Sequence, residues 1–177
     1  MKLQLILALS LISFSGTAKS FAFRFDNIAA NNVDSSSRSF LSNLLPLYYD
    51  LKNALVNDDA ASASKKAEAL LNAINTVDLK TLSGKEHDIF VSLKDKLSYD
   101  TRHIAEVQKI DHQREHFASL SLNMYTLAKS AKLTGQPVYE DYCPMKKAYW
   151  LSDEATIKNP YFGAQMPTCG SVKNTLN

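Results

Sequence analysis

Between residues 40 and 131, apolar side chains recur every three or four positions in four successive runs, and that period most narrows the possible folds. The first run is Phe40, Leu44, Leu47, Leu51 and Leu55, with Pro46 near enough to the start to be tolerated in a helix. Asp58-Asp59 supplies a cap for the second, whose stripe is Ala63, Ala67, Leu70, Leu71 and Ile74. Ser83-Gly84-Lys85-Glu86 has the spacing of a capping box, in which Ser83 and Glu86 satisfy each other's main-chain N–H groups. It opens a third run through Phe90, Leu93, Leu97, Ile104 and Val107. Asp111 is the expected cap of the fourth, which carries Phe117, Leu120, Met124, Leu127 and Ala131 and stops before Gly135-Gln136-Pro137. Short links between amphipathic helices make neighbours antiparallel. The expectation is a mainly α, up-down bundle of about four helices.

After this the character of the chain changes. Val138, Tyr139, Tyr142, Tyr149 and Trp150 favour strands and flank a turn-like segment from Cys143 to Lys147. A small β-hairpin or loop tail over residues 136–177 is therefore expected, as part of a single helical domain spanning 40–177. Within it, Ser152-Asp153-Glu154 is able to start one helical turn, which Asn159-Pro160 would stop.

The first residues point to export. Met1-Lys2 is a short basic start, residues 3–14 are mostly apolar and uncharged, and small-residue sites follow at Ala18 and Ala22. This is the layout of a signal peptide over 1–22, too short to span a bilayer, followed by an Asn- and Ser-rich flexible leader over 23–39. The expected location is the periplasm or the exterior, with no membrane insertion after cleavage. Loss of Lys2 and Lys19 leaves 18 basic residues against 18 acidic ones. Such a balance offers no general attraction for nucleic acid.

Nothing in the sequence points to an enzyme: no nucleophile elbow, phosphate loop, zinc-protease signature or Cys-x-x-Cys is present. The sulfur is distributed unevenly instead. Outside Met1 and Met124, it consists of Cys143, Met145, Met166 and Cys169, all in the tail. Thiolate and thioether are soft donors that select Cu(I), so two such arms suit a monovalent copper ion. In an exported chain the same cysteines also suit a Cys143–Cys169 disulfide, which would make the tail a stapled structural or interaction module. Both arrangements fit the residues. Among the histidines, His112 and His116 have an i, i+4 spacing that can place two imidazoles on one metal, though an exposed pair beside Arg114 and Glu115 is the expected reading, and an antiparallel turn would bring His103 close. His87 opens the third helix, at the end expected to lie beside the exit of the fourth. That puts it within reach of the sulfur arms, but a strand from Val138, at about 3.3 Å per residue, would also carry them to the other end, and topology alone does not choose.

The segments "YYDLKNALVNDDAASASKKAEALL", "LSGKEHDIF", "HQREHFASLS", "YCPMKKAYWLS" and "IKNPYFGAQMPTCG" resemble an exported bacterial family of unknown function. That family also occurs fused to the C-terminus of CusB-type heavy-metal efflux adaptors. Its members often carry a longer, Gly-containing insert where this chain has only Lys146-Lys147. The resemblance implies a helical bundle with a small tail, an exported location, and a part in copper or silver handling. It implies Cys143, Met145, Met166 and Cys169 as metal ligands, with His87 as the best-placed histidine, and an efflux adaptor or other envelope protein as partner.

Overall fold

The computed structural model describes residues 40–133 and 135–177; the expected signal peptide and flexible leader lie outside them. A 3-10 turn, Phe40–Asn43, leads into α1 (Leu44–Val56). Pro46 falls in the first turn of α1, where a missing N–H costs little. Helix α2 (Ala60–Thr76) is capped by Asp59, whose Oδ1 accepts from the Ser62 N–H at 2.9 Å. The capping box forms at α3 (Gly84–Glu106), where the Ser83 N–H donates to Glu86 Oε2 at 3.1 Å. Helix α4 (Ile110–Ala131) begins two residues earlier than expected. Lys109 occupies its cap position and Asp111 lies inside the first turn, where a negative charge still complements the helix dipole. The cause is Gln113, a buried residue whose Nε2 lies 2.8 Å from Val107 O, 3.2 Å from Ile104 O and 3.0 Å from Ala60 O. It fixes the α3–α4 link, and Val107 leaves the helix as an extended residue.

Each helix packs on its sequence neighbour, giving the mainly α bundle that the periodicity predicts. Leu51, Leu55, Ala67, Leu70, Ile74, Phe90, Leu97, Ile104, Phe117, Leu120, Met124 and Leu127 are all sealed from solvent. Burying each large side chain among them stabilises the fold by about 1.5–3 kcal/mol.

The tail is a three-stranded antiparallel sheet: β1 (Val138–Cys143), β2 (Ala148–Ser152) and β3 (Ser171–Leu176), in the order β2-β1-β3. The hairpin was expected; β3 is an addition to it. Ser152 does not start a helical turn. It ends β2, paired with Tyr139, while its Oγ accepts from Lys52 Nζ at 3.3 Å and from the Glu154 N–H at 3.2 Å. The turn of 3-10 helix comes later, at Gly163–Gln165.

Three polar anchors dock the tail on the bundle. Tyr48, fully buried on α1, places its Oη 2.6 Å from Ser121 Oγ on α4 and accepts the Leu151 N–H of β2 at 3.1 Å. Arg114 of α4 donates from Nε to Pro160 O at 2.8 Å, and from Nη2 to Leu55 O at 3.0 Å and Asp58 Oδ1 at 2.5 Å. Asp58 in turn accepts the Ala164 N–H at 2.8 Å. That N–H first and Arg114 second hold the Asp58 carboxyl below its usual range. Gly163 makes this approach possible: its φ is +50°, and a Cβ there would lie 2.2 Å from Asp58 Oδ1. Among the described residues no helix is long and apolar enough to cross a membrane.

Candidate metal centre

Cys143 is the last residue of β1, paired with Ala148 across a four-residue turn, and its side chain is fully buried. Because the strand ends there, Met145 lies in the turn, and it is 63 % exposed. Lys147 completes the turn in the left-handed region, with φ 56°. This short turn accommodates the two-residue Lys146-Lys147 link.

The second arm returns from the 3-10 turn. Met166 follows Gln165 and is exposed, and its carbonyl accepts the Cys169 N–H at 3.2 Å. Met166 and Cys169 thus stand on one tight turn. Gly170 then crosses the indole of Trp150 so closely that a Cβ would lie 2.7 Å from Cη2. This contact presses the second arm onto β2.

The two arms meet at their cysteines. Both are free thiols, near enough to each other that Cys143 acts on the Cys169 thiol. Partial burial pushes the Cys169 thiol up, and its proximity to Cys143 adds to the shift. Met145 and Met166 stand on the exposed turns beside this pair.

Asn159 holds the arrangement together, and its role was not legible in the sequence, where Asn159-Pro160 reads only as a stop signal. Its side chain is completely buried. Nδ2 donates to Cys143 Sγ at 3.3 Å and to Cys169 O at 2.6 Å, so one amide touches both arms. Oδ1 accepts the Tyr161 N–H at 2.8 Å, and the Asn159 N–H donates to Pro167 O at 2.9 Å. The Lys146 N–H adds a second contact to Cys143 Sγ, at 3.5 Å. Donors aimed at a sulfur suit a metal-bound thiolate, because outer-shell hydrogen bonds orient a ligand and spread its charge. Tyr161 closes the inner side: its hydroxyl donates to Tyr149 O, and burial pushes its phenol well up, with Cys143 adding to the shift.

His87 is not brought to this pair. It lies half-exposed at the start of α3, with Nδ1 3.3 Å from Asp88 Oδ1. Its neighbour Glu86 shares a groove with Lys132, Leu133 and Val138, so α3 does begin beside the exit of α4. But β1 runs away from that end for six residues, about 17 Å at the usual strand rise, before it reaches Cys143. The histidines that do gather are His103, His112 and His116. Among the described residues, they form the one set of three or more His, Cys, Asp or Glu whose ligand atoms all lie within 4.8 Å of one another.

No curated protein and no solved structure matches the chain. A family model described as "protein of unknown function (DUF3347)" matches residues 44–136, the whole helical bundle, and ends just before β1 and the sulfur arms. That match covers more than half of the chain, which belongs to the DUF3347 family.

Proposed function

We propose that the protein is an exported soft-metal binder that takes Cu(I) or Ag(I) at Cys143 and Cys169. It would serve periplasmic capture, buffering or delivery to an efflux adaptor or another envelope protein. The observation that carries this reading is the meeting of two thiols from separate arms, each arm bearing an exposed methionine. Thiolate and thioether prefer a monovalent soft ion over harder divalent ones. Uptake would release the thiol protons, as metal binding to cysteine does. The exposed methionines would give the ion a route between solvent and the buried Cys143. Neither catalysis nor membrane insertion is part of the proposal, and the leader at residues 1–22 supplies the export.

The same adjacency favours a second reading, a Cys143–Cys169 disulfide that staples the second arm to β1 in an envelope interaction module. The two readings separate on one titration. On reduced full-length protein, competition against a Cu(I) chelator should show affinity falling about tenfold or more in the Met145→Leu/Met166→Leu double variant. Leu conserves volume and apolar character, so metal-free stability should hold. Equal affinities would remove the methionines from the site. Under the disulfide reading the double variant changes little, and Cys143→Ser lowers the stability of the oxidised protein by about 2–5 kcal/mol instead.

A further inference from the structure

A second cluster of ligand-type side chains lies on the other flank of α4. The tail rests on the side of α4 that carries Arg114, Phe117 and Ser121. His112 and His116, one turn apart, emerge on the opposite side, where α3 brings His103 against them. Three of the chain's four histidines are therefore in one place, all partly accessible. Their ring centroids are 4.5 Å (His103 to His116), 4.7 Å (His112 to His116) and 6.1 Å (His103 to His112) apart.

We propose that His103, His112 and His116 form a binding site for a borderline divalent transition ion of the zinc or copper(II) class, separate from the sulfur arms. Three features carry this beyond mere proximity. First, the potential ligand atoms already lie within 4.8 Å of one another, on two packed helices joined by a link that Gln113 fixes. Secondly, His116 has the outer partner that metal-binding imidazoles usually have: its Nδ1 is 3.0 Å from Oδ1 of the buried Asp100. A carboxylate oxygen only accepts, so Nδ1 carries the hydrogen and the lone pair of the neutral ring is on Nε2. Thirdly, the donor set is all imidazole, which suits Zn(II) and Cu(II), whereas the cysteines and methionines suit a monovalent soft ion. Three imidazoles leave a fourth position open for water or an exogenous ligand.

One contact must change on binding. The ring of His103 stacks on that of His116 at an interplanar angle of 12°, and the ring of Tyr99 lies against both, 4.4 Å from His103 and 5.8 Å from His116. Two stacked imidazoles do not aim their in-plane lone pairs at one ion, so uptake draws His103 out of the stack. That movement provides a readout of its own.

The test is Zn(II) titration of the reduced, full-length protein, followed by calorimetry and by NMR of the imidazole nitrogens. The signals of His103, His112 and His116 should shift together at one equivalent, with loss of the ring-current effect between His103 and His116. His87, the fourth histidine, should stay still. His103→Gln/His112→Gln should weaken the site by about tenfold or more, and Asp100→Asn by about 10–100-fold through the orientation of His116. Replacing Met145, Met166 and Cys169 by Leu, Leu and Ser should leave this binding event in place. Zn(II) that moves none of the three histidines in the wild-type protein would overturn the proposal, whatever the variants do. So would Zn(II) binding that survives the His103/His112 change and disappears with the sulfur variant.

Discussion

Phe117→Ala should lower the free energy of unfolding by about 3–5 kcal/mol, the cost of emptying a fully buried aromatic site. Phe117 lies where all the layers of the molecule meet. Its ring stacks on Tyr48 of α1 with centroids 5.2 Å apart and leans on Tyr161 of the tail at 5.9 Å. Tyr48 is tied to Ser121 and to the main chain of β2, so the surroundings have little freedom to collapse into the void. Loss of the ring should therefore leave much of the cavity open and incur both the transfer and the cavity terms. Urea denaturation of the two proteins measures the difference, and a change below about 1 kcal/mol would show that this face of α4 is not the core.

Asp141→Asn should act in the opposite direction, stabilising the protein at neutral pH by at most about 3 kcal/mol, at 1.36 kcal/mol per unit of pKa displacement. Asp141 is sealed inside β1, and neither carboxyl oxygen has a hydrogen-bond partner among the described residues. Burial raises its pKa from 3.8 to about 6, and the nearby Lys52 offsets part of the rise. Burial also lowers the pKa of Lys52 itself, with Asp153 opposing that shift. For Asp141 the folded value lies above the unfolded one. Between about pH 4 and 6 the native state thus keeps a proton that the unfolded chain has lost, and stability falls as pH rises through that window. Above it the loss is complete. Asparagine cannot ionise, so the variant's advantage should be small at pH 4 and grow to its full value by pH 7. An advantage of the same size at both values would mean that the ionisation of Asp141 is not its source.

The helices were legible because each stripe is long, regular and buried against neighbours adjacent in sequence. The residues that tie the tail to them were not. Lys52 on α1 reads as a solvent residue by type; it is buried because Ser152 and Asp153, a hundred residues away, meet its amine. Strand β3, Ser-Val-Lys-Asn-Thr-Leu, has no buried face to produce an alternating pattern, and its place is set by pairing with β1. Asn159 belongs with these. Its side chain finds Cys143 and Cys169 only when both arms have folded, and the Pro that follows it gives the stronger local signal. The histidines separate for a similar reason. The i, i+4 pair and the nearby His103 are fixed by helix geometry and one short turn, whereas the placing of His87 depended on which way β1 leaves the bundle.

The central claim, a sulfur site built from two arms, is tested most directly by X-ray absorption at the copper edge of the reduced, full-length protein loaded with one equivalent of Cu(I). The proposed site predicts a first shell of sulfur alone that loses scatterers when Met145 and Met166 become Leu, because both thiols and both thioethers would face the same ion. A first shell dominated by nitrogen or oxygen would contradict it.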